Sequence, residues 1–495
     1  MTKKLLLISQ LILLLLISCK DKENRTNKNE IIISGKVNDF NGKNAELYLL
    51  YSQPGTKKFR KPLVIDSVGN FKIKLKSSIS LDAFILDRKS MANINFIYHP
   101  EDSIYVEFTP NKNVLNLLKT VRFKADRHQT NNLLIDFQIL REKNNLGYGA
   151  IQQTISYKKD ANSFLLEMDS VKLKQLNLVK QFKSNNSLNS EVEEWINSFA
   201  LETYYQYLHD YGSGKKNLPS NYFNYLNNIT DITKSNIISW RTLRDKIKSY
   251  SMNITAPSFM KKHSSIMEDI NDGKVNTDSL VIEYIKENTT NSLLVQLLIS
   301  DHYTSRFNAN FIEGYENNQD QIATLIKLPI IKENLDNHYN ETLGFINKPD
   351  IYTNEVLLKM KDTPIEEAFS KILSKNKGKV IYLDVWATWC SPCIKAMPDS
   401  KKLMEKFKQK DVSFVYLCID SKENLWKRLV SDFNLGDGEH YLMDKNQSNF
   451  FRKTMNVQGI PQYFIIDKNG NIVERGNDIH PGNIITEEKI MARLK

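Results

Sequence analysis

The 495-residue chain contains only four cysteines, and this scarcity excludes a secreted fold that depends on many disulfides. Two of the cysteines, Cys19 and Cys418, stand alone in the sequence, and neither they nor the eight histidines form pairs at the spacing of metal ligands. A structural zinc site usually needs four such ligands, so we expect no bound metal. The chain also lacks a dense basic cluster interleaved with aromatic residues. We therefore expect no nucleic-acid partner, although the net charge is +11.

The N-terminal apolar run from Leu5 to Ile17 is too short to cross a membrane comfortably. Two lysines precede it and Ser18-Cys19 follows it, which is the pattern of a secretory signal. Leu16-Ile17-Ser18-Cys19 resembles a bacterial lipobox, and this implies cleavage before Cys19 and lipid attachment to it. The alternative is an ordinary signal peptide with a coincidental cysteine. We expect a signal peptide over residues 1–18, a lipidated flexible tether over 19–30, and a periplasm-facing or surface-exposed protein of the cell envelope.

A chain of 495 residues is too long to fold around one compact core, so we predict that the protein is multidomain. Residues 31–112 contain short apolar or alternating runs separated by turn residues such as Asn41-Gly42 and Pro54-Gly55. We predict an N-terminal antiparallel β-sandwich there. The runs that carry this prediction are 31–37, 45–51, 70–75 and 103–108.

Residues 113–350 are predicted to form a central all-α region, because apolar residues recur there at three- and four-residue spacing. Pro329 is expected to end the last of the predicted helices. Tyr204, Tyr205, Tyr207 and Tyr222 could line a groove for a client protein, although such residues more often form the core of a helical layer. The predicted helices span 131–142, 163–182, 190–211, 278–300 and 320–328.

The stretch 378–398 carries most of the information about function. Val380 to Trp386 is an apolar run typical of a strand buried on both faces, and the residues after Cys393 favour a helix. Cys390 and Cys393 thus lie where a strand ends and a helix begins. The unpaired N–H groups and the dipole of a helix N-terminus stabilise a thiolate. A CxxC pair there predicts an attacking thiolate at Cys390 and a resolving thiol at Cys393. The alternative is half of a zinc site.

Two further residues fit this chemistry. Asp384 interrupts the apolar strand, and a buried carboxylate with a raised pKa could take the proton of Cys393. The alternative is a purely structural carboxylate. Pro461 precedes another apolar strand, and we expect it to begin that strand with a cis bond or as an ordinary trans edge proline.

The sequence Trp386-Ala-Thr-Trp-Cys-Ser-Pro-Cys393 resembles the active site of the TlpA/ResA family of membrane-tethered thiol:disulfide oxidoreductases, which have a thioredoxin fold. The resemblance places Asp384 at the buried aspartate of thioredoxin and Pro398 at the proline that kinks the active-site helix. It places Pro461 at the cis-proline that faces the CxxC and holds substrate backbone. Many relatives carry a glutamate three residues after the second cysteine, where this chain has Ala396. From the resemblance as a whole we predict a C-terminal α/β thioredoxin-like fold over 351–495.

The resemblance implies an enzyme that exchanges dithiol for disulfide with client proteins outside the cytoplasm, acting as a reductase fed by a membrane thiol electron donor. Its site would comprise Cys390, Cys393 and Asp384, with Trp389, Ile460 and Pro461 binding the substrate. No cofactor is expected beyond the Cys390–Cys393 disulfide itself. An oxidase or isomerase remains open, because redox potentials vary widely around one CxxC motif. A ligand- or partner-binding lipoprotein with redox-sensing thiols is the alternative from another class.

Overall fold

The structure is a computed structural model that describes residues 29–40, 46–56, 59–212, 215, 218–226, 240–271, 275–349, 357–360 and 363–494. The predicted signal peptide, Cys19 and nearly all of the tether lie outside the described residues. The chain divides into two compact units. The first unit comprises residues 1–275, 280–301 and 324–334. The second unit comprises residues 276–279, 302–323 and 335–495. The predicted domain boundaries stay predictions.

Eight strands form two four-stranded sheets in the first unit. Their bounds are β1 Glu30–Val37, β2 Leu47–Tyr51, β3 Phe59–Pro62, β4 Asn70–Lys76, β5 Leu81–Asp87, β6 Ala92–Tyr98, β7 Ser103–Phe108 and β8 Arg122–Ala125. One sheet has the order β4-β1-β7-β8 and the other β3-β2-β5-β6. Buried residues alternate with more exposed ones along β1, β2 and β7, so these strands bury one face and leave the other partly solvated. The N-terminal region is therefore β-rich.

Two predictions for this region are wrong in part. The expected antiparallel pairing fails at one ladder, because β1 and β7 are parallel, with Ile33 opposite Ile104. Parallel neighbours need a long crossover connection, and the strands between β1 and β7 supply it. The region predicted as all-α from residue 113 also contains a strand, since β8 pairs with β7 at Val106 and Phe123. Four alternating residues are too few to distinguish a strand by pattern.

Helices occupy most of the chain from residue 114 to 346. Their bounds are α1 Val114–Thr120, α2 His128–Lys143, α3 Tyr148–Thr154, α4 Ala161–Asn185, α5 Ser190–Gly212, α6 Trp240–Tyr250, α7 Ala256–Lys262, α8 Met267–Asn271, α9 Thr277–Asn288, α10 Ser292–Asn308, α11 Glu313–Glu316, α12 Gln319–Leu325 and α13 Pro329–Ile346. A π-helical turn, Ser251–Thr255, joins α6 to α7. Within the described residues, no helix has both the length and the apolarity that crossing a membrane requires.

The predicted helix over 278–300 is in fact two helices, α9 and α10. The side chain of Asn291 accepts a hydrogen bond from the Leu294 N–H at 3.0 Å and so caps the start of α10. Pro329 does not simply end a helix, because it is also the first residue of α13. Proline suits that position, where its missing N–H has no partner to lose. Tyr204, Tyr207 and Tyr222 are at most 5% exposed and pack in one apolar cluster, in agreement with the core interpretation.

The second unit contains the predicted C-terminal thioredoxin-like α/β fold, which is confirmed. Its strands are β9 Leu357–Lys359, β10 Val380–Trp386, β11 Val412–Cys418, β12 Glu439–Leu442, β13 Gln462–Ile466 and β14 Ile472–Gly476. Its helices are α14 Ala368–Lys375, α15 Ser391–Lys406, α16 Glu423–Asp432, α17 Lys445–Thr454 and α18 Ile484–Leu494. The sheet order is β14-β13-β10-β11-β12-β9.

Strand β10 lies in the middle of this sheet, parallel to β11 and antiparallel to β13. All seven of its residues are buried, as expected for an apolar strand covered on both faces. Pro398 lies inside α15, where it removes one backbone N–H from the helix. This arrangement places the end of β10 and the start of α15 together at one edge of the sheet.

Candidate active site

The two cysteines of the motif lie at the N-terminus of α15 and form a disulfide. Cys390 is the N-cap residue, and its Sγ accepts a hydrogen bond from the Cys393 N–H at 3.3 Å. Both residues are buried, with 4% of Cys390 and 1% of Cys393 exposed. The helix N-terminus therefore surrounds Cys390 with donors and positive dipole, which favour the thiolate once the disulfide is reduced.

A short turn connects β10 to this helix. The Cys390 N–H donates to the Ala387 carbonyl at 3.0 Å, which closes the turn directly before the helix. Ser391 and Pro392 occupy the first two helical positions, where a proline costs no intrahelical hydrogen bond. The sequence of the motif thus determines the local geometry: the strand ends, the chain turns once and the helix starts with the cysteine pair.

Asp384 is 1% exposed in the middle of β10. Its cross-strand partners are Tyr416 on β11 and Tyr463 on β13, so the carboxyl group shares one face of the sheet with two tyrosines. Neither of its carboxylate oxygens has a hydrogen-bond partner among the described residues. Burial raises the pKa of Asp384 to about 8, because the charged form loses hydration without gaining a partner.

A carboxyl group with this pKa can exchange a proton near neutral pH, as a proton acceptor for Cys393 must. The proposed proton-transfer role of Asp384 stays a prediction. The surrounding polar groups differ in their partners. The Tyr416 hydroxyl lies 2.8 Å from the Ser400 Oγ on α15. The Tyr463 hydroxyl is buried without a partner among the described residues.

Trp389 is the exposed aromatic residue of the motif, with 39% of its surface accessible. Its indole Nε1 donates to the Asp420 carbonyl at 2.8 Å. This hydrogen bond holds the ring against the loop that connects β11 to α16, directly beside Cys390. The hydrogen bond fixes the polar edge of the indole, and the exposed part of the ring is suited to contact a substrate chain.

Residues 419–422 of that loop belong to the site, although sequence reasoning did not identify them. Ser421 Oγ accepts from the Thr388 N–H at 2.9 Å and donates to the Ile419 carbonyl at 2.8 Å. Asp420 has a left-handed backbone, with φ of 47°, and its carboxylate pairs with Arg452 at 3.3 Å. Because β10 and β11 are parallel, the segments that follow them lie at the same sheet edge. That rule could have identified the loop.

Pro461 lies one residue before β13, and the Ile460–Pro461 peptide bond is cis. Val385 pairs with Gln462, so Pro461 lies beside the end of β10 and near the turn that carries the cysteines. Ile460 packs against the core of the C-terminal domain. The structure therefore brings Cys390, Cys393, Trp389, Ile460 and Pro461 to the sheet edge at which β10 ends, whereas Asp384 lies inside that strand. Their roles stay predictions.

Cys418 is a separate, free thiol at the end of β11, where it pairs with Trp386. Burial raises the pKa of this thiol to about 12, so it stays protonated at neutral pH. Cys418 is therefore a buried thiol that takes no part in disulfide exchange at neutral pH. Among the described residues, no group of three or more His, Cys, Asp or Glu side chains is placed to hold a metal ion.

Comparison with known proteins gives matches to this domain. Residues 368–494 match the Redoxin family. Thiol-disulfide oxidoreductase ResA of Bacillus anthracis is 36% identical over 103 residues, which are 21% of this chain and 57% of ResA. Thioredoxin-like protein YneN of Bacillus subtilis is 32% identical over 117 residues, which are 23% of this chain and 64% of YneN. The chain thus spans little more than half the length of the curated relatives that it matches.

Among solved structures, the thioredoxin domain of a thiol-disulfide oxidoreductase from Bacteroides vulgatus aligns with 24% of this chain and 84% of its own length. The sequence identity is 24% and the TM-score is 0.22.

Proposed function

We propose that the protein is a thiol:disulfide oxidoreductase that reduces disulfides of client proteins, because residues 368–494 match the Redoxin family and this part of the chain is similar to the thiol-disulfide oxidoreductase ResA. The observation that carries the proposal is the Cys390–Cys393 disulfide at the N-terminus of α15, at the same sheet edge as Trp389 and Pro461. The oxidised pair is one of the two states that such an enzyme must alternate between.

The reaction begins with the reduced pair. The Cys390 thiolate attacks one sulfur of the client disulfide, and a mixed disulfide forms while the other client sulfur leaves as a thiolate. Cys393 gives its proton to Asp384 and attacks the Cys390 sulfur. The second client sulfur leaves, takes up a proton and is reduced, while the Cys390–Cys393 disulfide forms. Two electrons pass from the enzyme to the client, and a dithiol donor must return them.

The direction of exchange and its location follow from the resemblance and the leader sequence. We propose that a membrane thiol donor reduces the pair again and that the clients lie outside the cytoplasm. Lipid attachment at Cys19 would keep the protein at the membrane, facing the periplasm. The reactive pair needs no further cofactor for this chemistry. Loss of lipid labelling in a Cys19→Ser variant supports this anchor, whereas unchanged labelling contradicts it.

The two N-terminal sheets lie in the same compact unit. We propose that they pack face to face as a β-sandwich. The alternation of buried and more exposed residues along β1, β2 and β7 supports this packing, because each of these strands has one face to cover.

Trapping of the mixed disulfide tests the proposed function. In a Cys393→Ser variant, Cys390 can still attack but nothing resolves the intermediate, so covalent complexes with clients accumulate. A Cys390→Ser variant is the matched control and should form none. Complexes that are resolved by non-reducing electrophoresis and released by dithiothreitol support the proposal. Equal absence of complexes from both variants contradicts it.

A further inference from the structure

The loop 419–422 is held from several directions beside the cysteine pair. Ile419 donates its N–H to the Trp386 carbonyl at 2.9 Å, and Asp420 pairs with Arg452 of α17. Ser421 bonds to the backbone of Thr388, one residue before the exposed tryptophan. These three contacts all come from within the thioredoxin-like domain. They fix the loop whose carbonyl oxygen at position 420 accepts the indole N–H of Trp389.

Lys422 gives the loop a fourth contact, and this one comes from the helical part of the same compact unit. Its Nζ forms an ion pair with Glu313 of α11. The same ammonium lies over the ring of Phe311, 5.6 Å from its centroid. Arg306 at the end of α10 lies over that ring too, at 4.8 Å. We name Arg306, Phe311, Glu313 and Lys422 the Phe311 cluster.

The helical side of the Phe311 cluster is itself anchored. The carboxylate of Asp278, 5% exposed as a residue, pairs with Arg306 at 3.4 Å and with His302 at 2.5 Å. Tyr315, two residues after Glu313, donates its hydroxyl to Asp336 at 2.8 Å. The cluster therefore connects a fixed helical segment, rather than a free surface loop, to the redox site.

An exposed ion pair alone contributes little, and the side chains of Lys422 and Glu313 are 46% and 51% exposed. The ring of Phe311 adds attraction to two cations, and each such contact is worth roughly a two- to fivefold change in an equilibrium. Together these contacts are strong enough to bias the position of a four-residue loop, but too weak to decide whether the domain folds. That is the behaviour expected of a positioning element.

We infer that the Phe311 cluster positions the loop 419–422, and through it the indole of Trp389, so that large client proteins align with the sulfur of Cys390. This inference rests on the proposed function. A folded client must lay its chain over Trp389 to bring its disulfide to a cysteine that is only 4% exposed. A small disulfide needs no such support. The helical segment would thus favour protein clients over small disulfides.

The test compares two substrates with the full-length reduced protein. The rate of insulin reduction and the rate of reaction with the small aromatic disulfide DTNB are measured for the wild type, for Phe311→Ala and for Glu313→Lys. We expect the ratio of the insulin rate to the DTNB rate to fall roughly two- to fivefold in each variant. The double variant Glu313→Lys with Lys422→Glu reverses the ion pair and should recover most of the ratio.

Glu487→Lys provides a matched control, because it breaks the exposed ion pair with Lys406, which lies at the opposite end of α15 from the cysteine pair. Its ratio should equal that of the wild type. The inference is overturned if the ratio is unchanged in Phe311→Ala and Glu313→Lys, or if the control lowers the ratio equally. A wild-type protein that reacts with neither substrate refutes the proposed function itself and the positioning role with it. If the wild type reduces both substrates but the variants leave the ratio of the two rates unchanged, only the positioning role is refuted and the proposed function stands.

Discussion

Replacement of Asp384 by asparagine keeps the size of the side chain and removes its ionisation. Burial raises the pKa of this carboxyl from 3.8 to about 8. Between these two pH values the folded protein holds a proton that the unfolded chain has already released. Folding therefore binds a proton in this range, and the free energy of unfolding falls as the pH rises. In the Asp384→Asn variant the side chain does not titrate, so this contribution to the slope disappears.

The magnitude follows from the pKa shift. One proton held in the folded state alone gives a slope of about 1.4 kcal/mol per pH unit. Between pH 5 and pH 7 the wild type should lose roughly 2–3 kcal/mol that the variant retains. The two proteins should be similarly stable near pH 4. Urea unfolding of the oxidised full-length protein measures this, with Trp386, Trp389 and Trp426 as fluorescent probes in the C-terminal domain. Parallel pH profiles of the two proteins would refute the reasoning.

The same variant should slow the resolving step. Asparagine cannot take the proton of Cys393, and loss of a positioned general base costs about a hundredfold or more in rate. The step is measured by forming the mixed disulfide between Cys390 and a small thiol and following the release of that thiol. In the wild type the rate should change with an apparent pKa near that of Asp384, and in the variant this dependence should be absent. An unchanged rate would exclude the proton-transfer role.

Three further outcomes follow from the same site. In the reduced protein, iodoacetamide at pH 8 should label Cys390 quickly and leave Cys418 unlabelled until the protein unfolds, because burial raises the pKa of Cys418 to about 12; mass spectrometry showing equal labelling would contradict this. Tyr463→Phe removes a buried hydroxyl that has no partner among the described residues, so the free energy of unfolding should stay the same or rise by about 1 kcal/mol. A large fall in the free energy of unfolding would instead show that the Tyr463 hydroxyl has a hydrogen-bond partner. Ser421→Ala leaves the Thr388 N–H without its acceptor and should lower the free energy of unfolding by about 1 kcal/mol or more; a denaturation midpoint equal to the wild type would contradict this.

The motif and its supports were predictable because their signals are local. An apolar run followed by CxxC and helix-forming residues determines β10, the turn and the start of α15 within 20 residues of sequence. Long helices such as α4 and α5 also followed from their periodicity. The position of Pro461 at the same sheet edge followed from the resemblance and not from any local pattern.

The missed features depend on tertiary structure. Strand β5 is buried at all but one position, so it shows no alternation, and β9 and β12 have only three and four residues. The parallel pairing of β1 with β7 joins segments far apart in sequence. The contact between Lys422 and Glu313 spans 109 residues, and no sequence period connects them. These features follow from how the elements pack, which a single sequence does not specify locally.

The most direct test of the central claim is the reduction potential of the Cys390–Cys393 pair, measured by equilibrating the protein with glutathione buffers. The proposed reductase requires a pair that equilibrates readily, with a potential near about −250 mV or lower. A value near about −120 mV would instead identify an oxidant and reverse the proposed direction. A pair that equilibrates with neither glutathione nor dithiothreitol would contradict the claim that this site exchanges disulfides.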